Sequence, residues 1–204
     1  MTALNPRLHA LAVGELVRAD PDLERVVARY GSPKFWSRPV GFSTLVYIVF
    51  EQQVSLASAR ATYDKVCALL PAFTPAAYLA LSDSQLRGAG VSRQKARYTR
   101  LLARAIHDGS LPIAGLGRRP DARVRELLTQ ITGIGHWTAD VYLMVALRRP
   151  DCWPTGDLAL VKAVQALKGL DERPHKSWLE ELGERYRPYR SVATHIYWHY
   201  YLSS

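Results

Sequence analysis

The sequence predicts an all-α protein on three grounds. Helix start and stop signals recur from end to end, apolar residues repeat at helical spacing, and the one strand-like run has no evident partner. In chain order, Asp20-Pro21, the run Asp22 to Tyr30 and Gly31 read as N-cap, first-turn proline, helix and C-terminal glycine. Thr44 to Phe50 (TLVYIVF) is rich in β-branched and aromatic residues, which suits a buried strand. The following Glu51-Gln52-Gln53-Val54 offers no turn, so a buried helix is expected. Ser55 precedes the helical run Leu56 to Leu70, Thr74-Pro75 opens another, and Ser92 precedes Arg93 to His107, which closes near Gly109. The Gly- and Pro-rich piece Leu111 to Pro120 reads as a connection between helices. Asp121 to Gln130, Trp137 to Leu147, Leu158 to Leu167, Lys176 to Tyr186 and Tyr189 to Tyr201 complete the set. Val141, Met144 and Val145 fall on one helical face, as do Leu158, Val161 and Leu167.

Composition narrows the class. A chain of 204 residues suits one compact domain, or two lobes sharing a core, and is long enough to bury a substantial interior. Its 27 Lys and Arg against 18 Asp and Glu give a net charge of +9, which favours a polyanionic partner. Two distant cysteines, Cys67 and Cys152, suit a reduced intracellular protein, and they are too few for an iron–sulfur cluster or a structural zinc held by four cysteines. No apolar run approaches a membrane span and no signal-peptide pattern opens the chain, so a cytoplasmic protein is expected, nucleoid-associated if bacterial.

The most informative stretch is Leu127 to Val141, LLTQITGIGHWTADV. Two helical runs are separated by a few residues, with glycines two apart at Gly133 and Gly135. Glycine permits positive φ and leaves no Cβ in the way of an approaching backbone. A helix begins behind the second glycine, so free N–H groups and the positive end of a helix dipole point outward together. Such a terminus fits a phosphate. An ordinary αα-hairpin would account for the glycines alone. The full pattern, apolar-x-Gly-apolar-Gly-x-x-Thr-Ala, is narrower, and it resembles the helix-hairpin-helix element of DNA repair enzymes. Gly133, Ile134, Gly135, His136 and Thr138 are therefore the expected contacts to DNA backbone.

Further on, Trp153-Pro154-Thr155-Gly156-Asp157 precedes the apolar run Leu158 to Leu167. Asp157 is a good N-cap, and that alone would explain its residue type. A second role is compatible with the first, because a helix N-terminus stabilises a carboxylate. Asp140 and Asp151 are rival acids, but neither has the Gly/Pro setting.

A helix-hairpin-helix followed by a Gly/Pro-rich loop and an Asp resembles the HhH-GPD superfamily of base-excision glycosylases, over roughly Thr44 to Tyr200. Within it, four stretches look like DNA-3-methyladenine glycosylase II: Phe50 to Ser55, Gly90 to Ala96, the hairpin with its Trp137, and Tyr189 to Ala193. The resemblance implies a two-lobed helical fold with the DNA cleft between the lobes. It treats 1–204 as one glycosylase unit, with the hairpin at about 121–147 and the loop at 150–157. It makes Asp157 the catalytic carboxylate and Trp137 and Trp198 the walls of a base pocket. It assigns DNA contacts to Arg93, as a wedge that is often apolar in relatives, and to Gln53. It also implies a Na+ or K+ ion held by backbone carbonyls of Thr129, Ile131 and Ile134, with no cofactor required. The partner is double-stranded DNA carrying alkylated bases, and a monomer is expected.

Bifunctional members carry a lysine two residues after the second hairpin glycine, where its amine forms a Schiff base with the sugar. Trp137 stands there in this chain, so hydrolysis without strand cleavage is expected. His195 and His199 lie four apart on one helix, but without an acidic residue nearby a zinc pair is disfavoured. Two alternatives stay open: a non-catalytic DNA-binding accessory module, and a glycosylase for uracil or mismatched bases.

Overall fold

The computed structural model describes residues 3–204, and among them the chain is all helical. Twelve α-helices follow in order: α1 Pro6–Ala19, α2 Pro21–Tyr30, α3 Phe42–Glu51, α4 Leu56–Ala68, α5 Pro75–Ala80, α6 Asp83–Gly88, α7 Arg93–His107, α8 Asp121–Thr129, α9 His136–Val145, α10 Leu158–Leu167, α11 Lys176–Glu184 and α12 Arg190–Ser203. The ambiguous TLVYIVF run is helical, as expected. The supposed connection before Pro120 contains a 3-10 helix at Ile113–Arg118. The short α6 was missed from the sequence. Its capping box, Ser82 with Gln85, is a local signal that could have found it.

The chain divides into two compact units. One comprises the residues up to Ser37 with Leu143–Ser204, and the other Arg38–Tyr142. In the first, α12 packs on α1, α2 and α10 around a core that includes Leu16, Leu23, Val161, Val164, Val192 and Ile196. Two buried polar clusters lie within it. Asp20 caps α2 and takes hydrogen bonds from Lys168 Nζ and the Tyr186 hydroxyl, both at 2.8 Å. Burial pushes this carboxyl up, but those donors and the Asp22 N–H outweigh it and hold it below its ordinary value. The second cluster is a histidine pair, His9 Nε2 and His195 Nδ1, 3.2 Å apart.

In the second unit α3 is the central element and packs against α4 and α7. Its interior positions are almost wholly apolar, and Leu45, Val46, Ile48 and Val49 are fully buried. Its C-terminal residue Glu51 is buried in a two-point ion pair with Arg38, at 2.8 and 2.6 Å, and Arg38 lies over the Tyr47 ring. That pairing fixes where α3 ends and where the Gln52 to Ser55 turn begins.

Candidate active site

Asp157 is built into the start of α10. Its backbone is extended, its N–H donates to the Pro154 carbonyl at 2.8 Å, and its carbonyl accepts the first bond of the helix, from Val161 at 2.9 Å. One carboxylate oxygen, Oδ1, accepts both the Leu160 N–H at 2.8 Å and the indole N–H of Trp198 at 2.9 Å. The residue is only 6% exposed. Its capping role is therefore real, and the tryptophan is an additional donor that no cap requires.

The loop carrying Asp157 is held from behind by α12 and α11. Ser191 Oγ accepts the Cys152 N–H, and the Ser191 N–H reaches the Pro150 carbonyl. Arg190 grips both oxygens of Asp151, at 2.7 and 3.0 Å. Trp153 is buried and donates its indole N–H to the Leu179 carbonyl at 2.7 Å, against the surface left bare by Gly183. The loop is thus pinned at Pro150, Asp151, Cys152 and Trp153, just before Asp157.

Trp198 lies 8% exposed, edge-on to Trp36 with ring centroids 5.8 Å apart. Its N–H is spent on Asp157, so the contact the structure gives it is with the carboxylate. His195 and His199 do not face a common ligand. His195 meets His9, while a ring nitrogen of His199 lies 3.0 Å from the Tyr30 carbonyl. No group of three metal-ligating side chains occurs among the described residues. The rival acids are engaged as well: Asp140 pairs with Arg125 at 2.6 Å, and Asp151 with Arg190 and Arg187.

The hairpin belongs to the other unit. The α8 helix ends at Thr129 and α9 starts at His136, with Gly133 in the left-handed region at φ +93°. A Cβ at Gly133 would lie 2.0 Å from Cγ of the Tyr98 ring, from α7. Gln52, at the end of α3, donates its side-chain amide to the Gly133 carbonyl and the Thr138 hydroxyl, each at 3.0 Å. Ile134 is buried beneath the turn, whereas Gly135 and His136 are exposed. Thr138 is buried and braces the hairpin from within, while Trp137 is half-buried at the opening of α9.

Gln52 is the residue that sequence reasoning missed. Its neighbour Gln53 is exposed at a positive φ of +57°, in the turn after α3. The Gln-Gln pair therefore splits, one amide turned in to the hairpin backbone and the other side chain on the surface. Arg93 is exposed as the first residue of α7. Nearby, Lys95 donates to the Phe50 carbonyl at 2.7 Å, tying α7 to the end of α3, and burial lowers the affinity of this amine for its proton. Among the expected cation ligands, the Ile131 carbonyl also accepts the Ile134 N–H at 2.9 Å.

A helix-hairpin-helix with a left-handed glycine, together with a capping aspartate behind a Pro/Gly loop, defines the class of DNA-repair glycosylase folds. Residues 46–188 match the model of the HhH-GPD superfamily base excision DNA repair protein, and the chain belongs to that superfamily. The structure superimposes on the 3-methyladenine DNA glycosylase of Schizosaccharomyces pombe, solved in complex with abasic DNA, with a TM-score of 0.86 at 26% identity, covering 92% of this chain and 94% of that one. It also superimposes on a DNA-3-methyladenine glycosidase of Bacillus halodurans, with a TM-score of 0.75 at 31% identity, covering 97% and 91%. A DNA-3-methyladenine glycosylase of Bacillus subtilis is 26% identical over 196 residues, covering 90% of this chain. The chain spans 41% and 65% of the length of the two B. subtilis relatives it matches. No helix among the described residues is long and apolar enough to cross a membrane.

Proposed function

We propose that the chain is a monofunctional DNA glycosylase that hydrolyses the N-glycosidic bond of alkylated purines, of the 3-methyladenine and 7-methylguanine type. The observation that carries this reading is the Asp157 carboxylate, fixed by the Leu160 N–H and the Trp198 indole. As the C1′–N bond breaks, its electron pair leaves with the base and positive charge grows on the sugar. A carboxylate ~4 Å from that charge contributes about 4 kcal/mol at an effective dielectric of 20. Water then adds its oxygen to C1′ and gives up a proton, which Asp157 can accept or direct. The product is an abasic site.

An alkylated purine already carries positive charge, so it departs as a neutral base without a general acid. That chemistry asks of the site a carboxylate such as Asp157 and no general acid. Trp137 supplies an aromatic face suited to a cationic base by the electrostatics of its ring, and Trp198 acts as a positioning residue for Asp157. Since Trp137 replaces the lysine of the bifunctional enzymes, no imine forms there and the strand stays intact. The hairpin binds the DNA backbone through the N–H groups that open α9, near Gly135 and His136. A Na+ or K+ ion would be held by the carbonyls of Thr129, Ile131 and Ile134, of which Thr129 closes α8, where the last carbonyls lack helical partners. The enzyme is read as a monomer that acts on double-stranded DNA in the cytoplasm, with no cofactor for the chemistry.

The test is incubation with methylated DNA and with duplexes holding single lesions, with chromatography of the released bases. Release of 3-methyladenine and 7-methylguanine by the wild type is expected. Asp157→Asn should keep its circular dichroism and DNA affinity and lose at least 100-fold in single-turnover rate. DNA binding without base release would replace this reading with that of an accessory binding module. Strand nicking without heat or alkali would overturn the hydrolytic mechanism.

A further inference from the structure

The α7 helix carries a ladder of arginines. Arg93, Arg97, Arg100 and Arg104 recur at intervals of four, three and four residues, which places them within about 60° of one another around the helix. With Arg87 and Asp83 from α6 they line a groove of about 440 Å³. Arg100 is the fixed member: its guanidinium bonds the Leu79 and Leu81 carbonyls and Asp83. The other four, Arg87, Arg93, Arg97 and Arg104, are exposed and make no ion pair or side-chain hydrogen bond among the described residues.

Elsewhere Arg25, Arg38, Arg60, Arg123, Arg125, Arg187 and Arg190 each face an acidic partner; what sets the α6–α7 arginines apart is that they line one groove together. Like charges on one helix face repel, and a concave wall concentrates their field. Four guanidiniums facing a groove, with Asp83 its one acidic lining residue, hold a positive potential that an anion from outside relieves. The ladder runs about 16 Å from Arg93 to Arg104, a length over which one strand of B-DNA presents on the order of five phosphates. A linear row of forked donors suits a linear row of phosphates better than it suits one compact anion.

We propose that the α6–α7 groove is a second track for the DNA phosphate backbone, distinct from the hairpin and gripping DNA outside the stretch the hairpin holds. This rests on the reading of the chain as a DNA-acting enzyme. The separation follows from the helix itself. Tyr98, which abuts the hairpin at Gly133, lies roughly 100–160° around α7 from the ladder. The groove therefore opens on a different face from the hairpin; Arg93, the expected wedge, stands at one end of the row, and Arg97, Arg100 and Arg104 add affinity through DNA length rather than through lesion contacts.

The experiment compares wild type with the double variant Arg97→Gln, Arg104→Gln, binding to lesion-free duplexes of about 10 and about 40 base pairs between 50 and 200 mM salt. On the long duplex the salt slope should fall by about 1.8, so that the wild type loses about 12-fold more affinity than the variant across that range. On the short duplex the two proteins should bind alike, and Arg97→Lys, Arg104→Lys should recover the long-duplex slope. Equal slopes on the long duplex overturn the proposal, and so does an equal loss on both lengths, which would put these residues in the primary footprint. A wild type that excises alkylated bases while the double variant binds normally would sink the track alone. A wild type that binds no DNA would remove both.

Discussion

Gly133→Ala is the substitution whose cost the structure sets out most fully. The residue sits at φ +93°, where an L side chain strains against its own carbonyl, for about 1–2 kcal/mol. Its new methyl would also lie 2.0 Å from Tyr98 Cγ, and forcing that ring aside costs about 1–3 kcal/mol. Together these give about 2–5 kcal/mol, which for a chain of this size lowers Tm by roughly 4–20 °C. The two parts can be separated, because only the steric part depends on Tyr98. In a double-mutant cycle with Tyr98→Ala, the second alanine should recover about 1–3 kcal/mol of the Gly133 penalty and leave the backbone share in place. Urea unfolding of the four proteins measures this directly. A Gly133→Ala protein within 0.5 kcal/mol of wild type, or a cycle with no coupling, would show that Tyr98 does not pack as described. Affinity for undamaged duplex should drop as well, because the carbonyl that Gln52 holds cannot keep its place while the turn shifts.

Other outcomes follow from the unit that carries Asp157. Burial, with His9 beside it, lowers the pKa of His195 from its ordinary 6.5 to about 3, so the unfolded chain takes up a proton in that interval and the folded one does not. Stability is therefore present in full above pH 6.5 and falls as the pH drops toward 3, by on the order of 5 kcal/mol at the limit. His195→Gln should flatten the fall in urea midpoint between pH 7 and pH 4, and an unchanged profile would remove the histidine as its source. Trp198→Phe keeps the ring and deletes the N–H that Asp157 accepts. A charge-assisted bond of about 1.5–3 kcal/mol predicts a 10- to 150-fold loss in single-turnover excision with DNA affinity intact; a wild-type rate would reduce Trp198 to packing. Gly183→Ala would place a methyl 2.6 Å from Trp153 Cδ1 and loosen the bond from Trp153 to the Leu179 carbonyl, for about 1–3 kcal/mol read by thermal unfolding.

The features legible in the sequence are those whose causes are local. Asp20, Ser55, Thr74, Ser92 and Asp157 all accept hydrogen bonds from the helices they precede, because a capping side chain answers to N–H groups two or three residues away. The glycine hairpin was legible for the same reason, since a left-handed residue and a helix start are both short-range events. What stayed hidden are pairings between distant segments. Nothing near Gln52 says that its amide reaches the Gly133 carbonyl 81 residues away, while Gln53 alongside it turns to the surface. Trp198 showed its aromatic character in the sequence but not that its N–H would be given to a carboxylate 41 residues earlier. The arginines of α7 look like any solvated helical face until the groove they share is seen, with no partner for Arg93, Arg97 and Arg104 among the described residues.

Asp157 joins the two kinds of information. Its residue type was explained by capping alone, and as a cap it needs one N–H, from Leu160. The same oxygen also takes the Trp198 N–H, from an aromatic residue the last helix would otherwise have buried in apolar surroundings. A surface N-cap is content with water as its second partner. Sending an indole donor to it instead fixes the carboxylate in one orientation and shields it from solvent, which helps folding little and suits stabilisation of a charge that develops elsewhere. The capping bond therefore explains why an aspartate stands at 157, and the tryptophan explains why its orientation matters. Trp198→Phe and Asp157→Asn divide those two contributions, because only the first leaves the charge in place while releasing its direction.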